Sequence, residues 1–265
     1  MKIGIIGGGF MGEAFIKGML NSKKFNSNDI IVIEINEKRL NVLKNYKVQI
    51  SNTIKDIKNA EIIILAVKPQ KLNKVLQDMS FYSNKNSLLI SIVAGIKIDE
   101  IIHTSLHKKI ARVMPNLPAS IGYGTSAYIT SADIKPKDEK KIQNILDAFS
   151  KVVVKVKDEN SLDAATAIHG SGPAYMFLIL EYIIESAKKI GINEHDAFNL
   201  ATSTMIGSAK YASASNSNLQ ELREAVTSSG GTTEAALKIL NDGRLKKIIE
   251  DAIFQAYNRA IELGK

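Results

Sequence analysis

The sequence predicts an α/β protein with an N-terminal Rossmann-type doubly wound sheet and an all-helical C-terminal domain. Short β-branched runs alternate with helical segments up to about residue 157, which is typical of βαβ units around a mostly parallel sheet. Beyond Asp158 the strand pattern ends, and every segment reads as helix. We therefore expect one domain at residues 1–158 and a second, helical domain at residues 159–265.

The predicted strands cover residues 2–6, 30–33, 48–50, 62–66, 88–92, 110–113, 126–129 and 152–156. Helices are predicted between them at residues 13–20, 40–45, 72–79 and 139–149. The C-terminal helices are predicted at residues 162–168, 173–190, 194–214, 219–226, 233–240 and 245–263.

A glycine-rich loop follows the first predicted strand and precedes the first helix, with the residues Gly7, Gly8, Gly9, Phe10, Met11 and Gly12. This is the G-x-G-x-x-G pattern of dinucleotide-binding folds. In that pattern Gly7 makes the tight turn, Gly9 admits the pyrophosphate, and Gly12 lets the helix pack closely on the strand. The loop predicts that residues 1–158 bind a dinucleotide.

The same pattern predicts an acidic residue at the end of the second strand, where Glu34 stands. Its carboxylate would bind the adenine ribose hydroxyls and favour NAD over NADP. Asn36, Lys38 and Arg39 follow at once and could instead turn toward a 2′-phosphate. The sequence therefore leaves both NADPH and NADH open as cofactor.

A second glycine turn lies in the helical half, where Gly230 and Gly231 precede Thr232 and Thr233. The first turn of a helix leaves backbone N–H groups unpaired, and glycines let an anion approach them. Either threonine could cap the helix that follows. The turn predicts a site for a small carboxylate, although a capped helix after a plain loop would have the same sequence.

Ligands of open α/β sheets bind beyond the carboxyl ends of the strands, so the loops at those ends matter. One such loop contains Ala66, Val67, Lys68 and Pro69. Two others lie at residues 91–96, with Ala94 and Gly95, and at residues 112–118. Each loop alone reads as ordinary loop chemistry, but together they predict a nicotinamide pocket.

Composition excludes several classes of function. Cysteine is absent, which rules out disulfides and thiolate catalysis and fits a cytoplasmic protein without a secretory leader. The net charge of +8 is spread among acidic residues without an aromatic array, so we expect no nucleic-acid partner. His103 and His107 have metal-ligand spacing but no third ligand, and we expect no metal site and no membrane span.

The predicted helix over residues 173–190 is apolar around almost its whole circumference. A helix that contacts water on one side would show a polar stripe. About a hundred residues can hardly surround such a helix. We therefore predict an interlocked homodimer in which a second copy covers it.

With the loops at residues 7–12, 66–70 and 112–118, the G-S-G-P-A-Y segment at residues 170–175 and the turn at residues 227–235, the chain closely resembles pyrroline-5-carboxylate reductase. The resemblance covers the full length. It implies reduction of 1-pyrroline-5-carboxylate to L-proline with NADPH or NADH, and dimers that commonly assemble into decamers. It implies a substrate carboxylate on Gly230, Gly231 and Thr232, and catalysis assisted by Thr233, whose hydroxyl bonds the ring nitrogen.

Two departures from the family pattern are visible. Ser229 stands where the family turn usually has proline, and Thr53 stands where a cofactor loop often has asparagine. Two alternative functions remain: another imine or β-hydroxyacid reductase of this architecture, and a non-catalytic nucleotide-sensing dimer. A β-hydroxyacid enzyme would place a catalytic lysine on the interdomain helix, but that helix has Lys188 and Lys189 only at its far end.

Overall fold

The structure, a computed structural model, describes residues 1–264, which form eight strands and eleven α-helices. The strands are β1 Ile3–Ile6, β2 Ile30–Ile33, β3 Gln49–Ser51, β4 Ile62–Leu65, β5 Leu88–Ser91, β6 Ile110–Met114, β7 Gly124–Thr130 and β8 Ser150–Lys155. The helices among them are α1 Phe10–Asn21, α2 Glu37–Leu43, α3 Pro69–Tyr82, α4 Ile98–Ser105 and α5 Pro136–Leu146. After β8 come α6 Glu159–Ala165, a π-helical turn at Thr166–Gly170, α7 Gly172–Lys189, α8 Glu194–Ala214, α9 Leu219–Ala225, α10 Thr232–Leu240 and α11 Arg244–Leu263.

All eight strands belong to one sheet, in the order β3-β2-β1-β4-β5-β6-β7-β8. Every neighbouring pair is parallel except β6 and β7, which run antiparallel. The chain passes outward from β1 to β3 and then returns to place β4 on the other side of β1. This reversal is the switch point of a doubly wound fold, and it confirms the predicted fold class.

The central strands are apolar along their whole length because helices cover both faces of the sheet. In β4, Ile62 and Ile64 belong to one core cluster, whereas Ile63 and Leu65 belong to the other. Alternate residues of a strand point to opposite faces, so a strand buried on both faces needs an unbroken apolar run.

Several predicted boundaries are wrong by a few residues, and side-chain caps explain two of them. Helix α2 begins at Glu37 because the Asn36 side chain accepts hydrogen bonds from the backbone N–H groups of Lys38 and Arg39. Helix α6 begins at Glu159 because Asp158 accepts from the backbone N–H of Ser161 at 2.7 Å. The Asn36 cap occupies two N–H groups of its first turn and the Asp158 cap occupies one, and the apolar pattern does not reveal such caps.

The described chain divides into two compact units. The first contains Met1–Pro173 and the chain from Ala256 onward, and the second contains Ala174–Gln255. The second unit is wholly helical, and its helix α9 begins with a reciprocal cap between Asn218 and Glu221. The domain boundary expected after residue 158 stays a prediction. Among the described residues, no helix has the length and apolar character that a membrane crossing needs.

A buried ion-pair cluster joins α6 to the sheet in the first unit. Arg112 on β6 pairs with Glu159 and, at 3.1 Å, with Asp163, both on α6. Glu159 also accepts a hydrogen bond from the backbone N–H of Ile98 at 3.0 Å. Arg112 and Asp163 are 5 % and 4 % exposed, so each charge depends on the other for compensation. Burial raises the pKa of Asp163, although the Arg112 charge opposes this rise.

Arg112→Met should destabilise the chain by about 3–5 kcal/mol at neutral pH because it leaves a buried carboxylate without its partner. The pKa of Asp163 would then rise further in the folded state. A carboxyl with a raised folded pKa stabilises the fold only while protonated, so the deficit should widen as the pH rises above the ordinary aspartate pKa of 3.8. Urea unfolding of wild type and variant at several pH values measures this.

Lys155→Met is the control, because it removes an exposed ion pair between Lys155 and Glu139 at 2.6 Å. It should change the free energy of unfolding by less than about 1 kcal/mol. An Arg112→Met deficit as small as the control, or one that is constant with pH, would contradict the assignment of Asp163 as the group left uncompensated.

Candidate active site

The parallel sheet brings the first group of predicted site residues to one edge. The backbone N–H of Gly7 donates to the Ile33 carbonyl at 2.9 Å, and that of Ala66 donates to the Ile6 carbonyl at 2.9 Å. These bonds continue the ladders of β1 with β2 and β4 past the ends of the strands. The glycine loop, the residues after β2 and the residues after β4 therefore lie together at the carboxyl edge.

The glycines of the loop are required by its backbone path. Gly7 has a φ of +103°, and a Cβ placed there would lie 2.5 Å from the Ala66 carbonyl oxygen. A Cβ at Gly12 would lie 2.1 Å from the Gly7 carbonyl oxygen. A Cβ at Gly9 would meet nothing within 4 Å, so the space in front of this residue is open. The loop is tight on the protein side and open on the other.

The first turn of α1 presents hydrogen-bond donors to that open space. The backbone N–H groups of Phe10, Met11 and Gly12 have no acceptor within residues 1–264. The phenyl ring of Phe10 is half-exposed, whereas Met11 packs against the core. Free N–H groups at a helix N-terminus bind anions, so the loop fits the pyrophosphate of a dinucleotide.

Glu34 follows β2 and is held by backbone donors on both carboxylate oxygens. Its Oε2 accepts from the N–H of Gly8 at 2.8 Å, and its Oε1 accepts from the N–H groups of Ile35 and Asn36, also at 2.8 Å. The side chain of Asn36 is occupied as the cap of α2. Glu34 therefore stands beside the glycine loop in a fixed position, and Asn36 is bound to its carboxylate through the backbone.

An ion-pair cluster that sequence reasoning missed braces the loop from behind. The Nε of Arg39 donates to the Gly8 carbonyl at 2.7 Å, and its Nη2 pairs with the carboxylate of Glu13. Tyr46 donates its hydroxyl hydrogen to the same carboxylate at 2.7 Å. Burial raises the pKa of Glu13, but the hydrogen bonds from Arg39 and Tyr46 outweigh burial and leave it lowered. The sequence signal that could have predicted this ion pair is the acidic Glu13 in the first turn of α1 together with the basic Arg39 in α2.

The loops after β4 and β5 supply the remaining predicted cofactor residues. Ala66 and Val67 are partly buried, while Lys68 is exposed and precedes Pro69, the first residue of α3. Ala94 and Gly95 line a cleft together with Met114. Gly95 has a φ of +79°, and a Cβ there would lie 2.4 Å from the carbonyl oxygen of Leu263 near the end of α11. The loop after β5 thus lines a cleft to which the last turn of α11 contributes, and this contribution was not predicted.

The second predicted site belongs to the second unit and consists of a turn before α10. The N–H of Gly231 donates to the Ser228 carbonyl at 3.1 Å, and Gly230 has a φ of +72°. This geometry is a type II turn with Ser229 at its second position, where proline is common. The proline that the family usually has here is thus the residue that this position of a type II turn favours. Ser229 can adopt the same conformation but leaves the unfolded chain with more conformational freedom.

The threonine cap expected from the sequence is wrong. Gly231 is the cap residue of α10, and neither threonine side chain caps the helix. The N–H of Gly230 is taken by the Glu234 carboxylate at 2.9 Å. In the described chain the N–H groups of Thr232 and Thr233 have no acceptor, and Thr233 is partly buried. The first turn therefore leaves these two backbone donors, the N–H of Glu234 and a hydroxyl available at one helix start.

The two histidines with metal-ligand spacing do not share a helix. His103 lies in α4, but α4 ends at Ser105, so His107 lies beyond it and is fully buried. The ring of His107 hydrogen bonds with Ser83 Oγ at 3.2 Å and with the Ser105 carbonyl at 3.0 Å, and burial lowers its pKa. Residues 1–264 contain no group of three or more His, Cys, Asp or Glu arranged for a metal ion.

Comparison with known proteins identifies two family models in the chain. Residues 159–263 match the model described as pyrroline-5-carboxylate reductase dimerisation. Residues 2–95 match the model described as "NADP oxidoreductase coenzyme F420-dependent". A family model for dimerisation on the helical segment supports homo-oligomerisation.

Curated relatives and solved structures agree over the full length. The pyrroline-5-carboxylate reductase of Synechocystis sp. is 35 % identical, with 100 % of this chain and 99 % of the relative covered. That of Staphylococcus haemolyticus is 32 % identical, with 100 % and 98 % covered. The solved enzyme from Coxiella burnetii has a TM-score of 0.91 at 31 % identity, with 100 % of this chain and 98 % of that chain covered.

A further solved relative is pyrroline carboxylate reductase from Plasmodium falciparum with NADP bound, at a TM-score of 0.90 and 28 % identity, covering 100 % and 98 % of the two chains. Identity above 30 % across entire chains leaves no part of the sequence outside the match. The resemblance inferred from the five motifs is confirmed, and the chain belongs to the pyrroline-5-carboxylate reductase family.

Proposed function

We propose that this chain reduces the C=N bond of 1-pyrroline-5-carboxylate to give L-proline, with NADPH or NADH as the cofactor. Full-length membership of the family gives the reaction class. The observation that carries the proposal within this chain is the pair of unpaired N–H groups and the hydroxyl at the start of α10. These groups suit a ring that has a carboxylate beside its nitrogen.

The carboxylate would be held by the backbone N–H groups of Thr232 and Thr233. Both are unpaired and stand at the positive end of the α10 dipole. The N–H groups of Gly230 and Gly231 are already hydrogen bonded, so these two glycines would contribute the shape of the turn. Their missing side chains leave room for the anion to approach.

Thr233 would orient the ring nitrogen through its hydroxyl. A reduced nicotinamide supplies the hydride, and a protonated imine accepts it without help from a strong acid. The work of the protein is then to hold the carboxylate and the nitrogen so that one face of the C=N bond is presented. In unit one, we assign the pyrophosphate to residues 7–12, the ribose to Glu34 and Asn36, and the nicotinamide end to Ala66, Val67, Lys68, Pro69, Ala94 and Gly95.

The alternative reductases are not favoured, because the full-length relatives are pyrroline-5-carboxylate reductases. A β-hydroxyacid enzyme would need a free lysine on α7. Lys188 lies in the last turn of α7 and pairs with Glu194 at 3.2 Å. A non-catalytic nucleotide sensor would have no use for the turn before α10.

We also propose that the helical segment forms a homodimer. In the single chain, α7 exposes a run of large apolar side chains: Met176, Phe177, Leu178, Ile179, Tyr182 and Ile183, each between 38 % and 59 % exposed. Exposed apolar patches of this kind mark protein interfaces. The cytoplasmic location and the decamer expected from the sequence stay predictions.

Thr233→Ala should lower kcat/KM for 1-pyrroline-5-carboxylate by roughly ten-fold or more, the scale of one lost orienting contact. Thr233→Ser keeps the hydroxyl and should remain within about three-fold of wild type. The loss of reduced-nicotinamide absorbance measures all three rates. Wild-type turnover by Thr233→Ala would remove Thr233 from the mechanism, and no turnover by wild type with either cofactor would refute the proposed reaction.

Light scattering of the wild-type chain at low micromolar concentration should give at least twice the chain mass of 29.0 kDa. Phe177→Glu places a charge in the apolar run and should yield monomer or aggregate. Phe81→Glu is the matched control, because Phe81 is 81 % exposed on α3 of the other unit. A stable folded wild-type monomer would contradict the dimer.

A further inference from the structure

The cofactor preference of this chain can be argued from its own residues, once the proposed reductase function is accepted. The relative from P. falciparum was solved with NADP. That bound cofactor does not decide the preference of this chain, because the choice between the dinucleotides depends on the few side chains at the end of the second strand. In this chain those side chains are Glu34, Asn36, Lys38 and Arg39.

The carboxylate of Glu34 is fixed at the position where the adenine ribose would bind. Three backbone N–H groups, from Gly8, Ile35 and Asn36, donate to it at 2.8 Å each. It could turn away from a ligand only by leaving all three donors unpaired. Two carboxylate oxygens offer about four acceptor sites, so at least one remains for a ribose hydroxyl.

The guanidinium of Arg39, which could neutralise a 2′-phosphate, is already bonded to other groups of the protein. The guanidinium of Arg39 donates to the carbonyl oxygens of Gly8 and Gly9, at 2.7 and 3.4 Å, and pairs with the Glu13 carboxylate. Tyr46 holds that carboxylate from the other side at 2.7 Å. Recruiting Arg39 to a phosphate would break the brace of the loop and leave the partly buried Glu13 without its partner.

The two other polar side chains do not replace it. The Asn36 side chain is the cap of α2 and accepts from two backbone N–H groups. Lys38 is exposed in the first turn of α2, which is only seven residues long. A single mobile, hydrated lysine is a weak partner for a phosphate that also faces a fixed carboxylate.

We propose that Glu34 makes this site selective for NADH over NADPH. Its carboxylate accepts hydrogen bonds from the ribose hydroxyls of NADH and repels the 2′-phosphate of NADPH. Arg39 contributes to the selection indirectly, because its bonds to the glycine loop and to Glu13 keep it from the phosphate.

The test is direct binding of NADH and of NADPH to the wild-type protein without substrate, followed by calorimetry or by nicotinamide fluorescence. The Kd for NADH should be at least about ten-fold lower than that for NADPH at low salt, and the ratio should narrow as salt screens the repulsion. NADPH binding as tight as NADH binding would overturn this inference alone. Failure of both to bind would overturn the proposed function with it.

Variants identify the residue responsible. Glu34→Ser removes the carboxylate and should reduce the NADH preference by about ten-fold or more, by weakening NADH binding and strengthening NADPH binding. Glu37→Gln removes one negative charge from the next helix and should leave the ratio unchanged. A ratio that is unmoved in Glu34→Ser, or moved equally in Glu37→Gln, would overturn the assignment. Should Glu34→Ser fold poorly, the wild-type ratio and its salt dependence still decide the proposal.

Discussion

The structure of the first unit depends on one close approach of backbone to backbone. Only three residues separate β1 from α1. The path is possible because Gly7 and Gly12 have no side chains where Cβ atoms would lie 2.5 and 2.1 Å from carbonyl oxygens. This approach points the free N–H groups of the first turn of α1 into open space at the carboxyl edge of the sheet. The proposed binding of the pyrophosphate depends on these free N–H groups and needs no charged side chain.

The charged side chains near the loop have a different role, which is to hold it. Arg39 donates hydrogen bonds to the carbonyl oxygens of Gly8 and Gly9. Glu34, which follows β2, accepts a hydrogen bond from the backbone N–H of Gly8. The same hydrogen bonds that fix the loop also decide which groups a ligand meets: a carboxylate is presented, and the guanidinium is turned inward. In the proposed site, the rigidity of the phosphate-binding loop and the selectivity at the ribose thus have a common structural origin.

The sequence was sufficient for the fold class because its signals are local. The unbroken apolar strands, the glycine spacing and the loss of strand pattern after Asp158 each depend on a short stretch of chain. The sequence did not predict two kinds of side-chain arrangement correctly: those in which neighbouring residues compete for one position, and those in which the partner is distant in sequence. Thr232 and Thr233 are good caps, yet Gly231 takes the cap position because the type II turn before it fixes the backbone. Arg39 forms an ion pair with Glu13, which lies 26 residues earlier, and no periodic sequence pattern predicts such a contact.

The most direct test of the account is a crystal structure of the protein with NADH. We expect the pyrophosphate oxygens within hydrogen-bond distance of the N–H groups of the first turn of α1. We also expect the adenine ribose hydroxyls on the Glu34 carboxylate, with Arg39 still bound to the loop. A dinucleotide bound away from the carboxyl ends of β1 and β2 would contradict the account at its base, because the free N–H groups would then have no role in recognition.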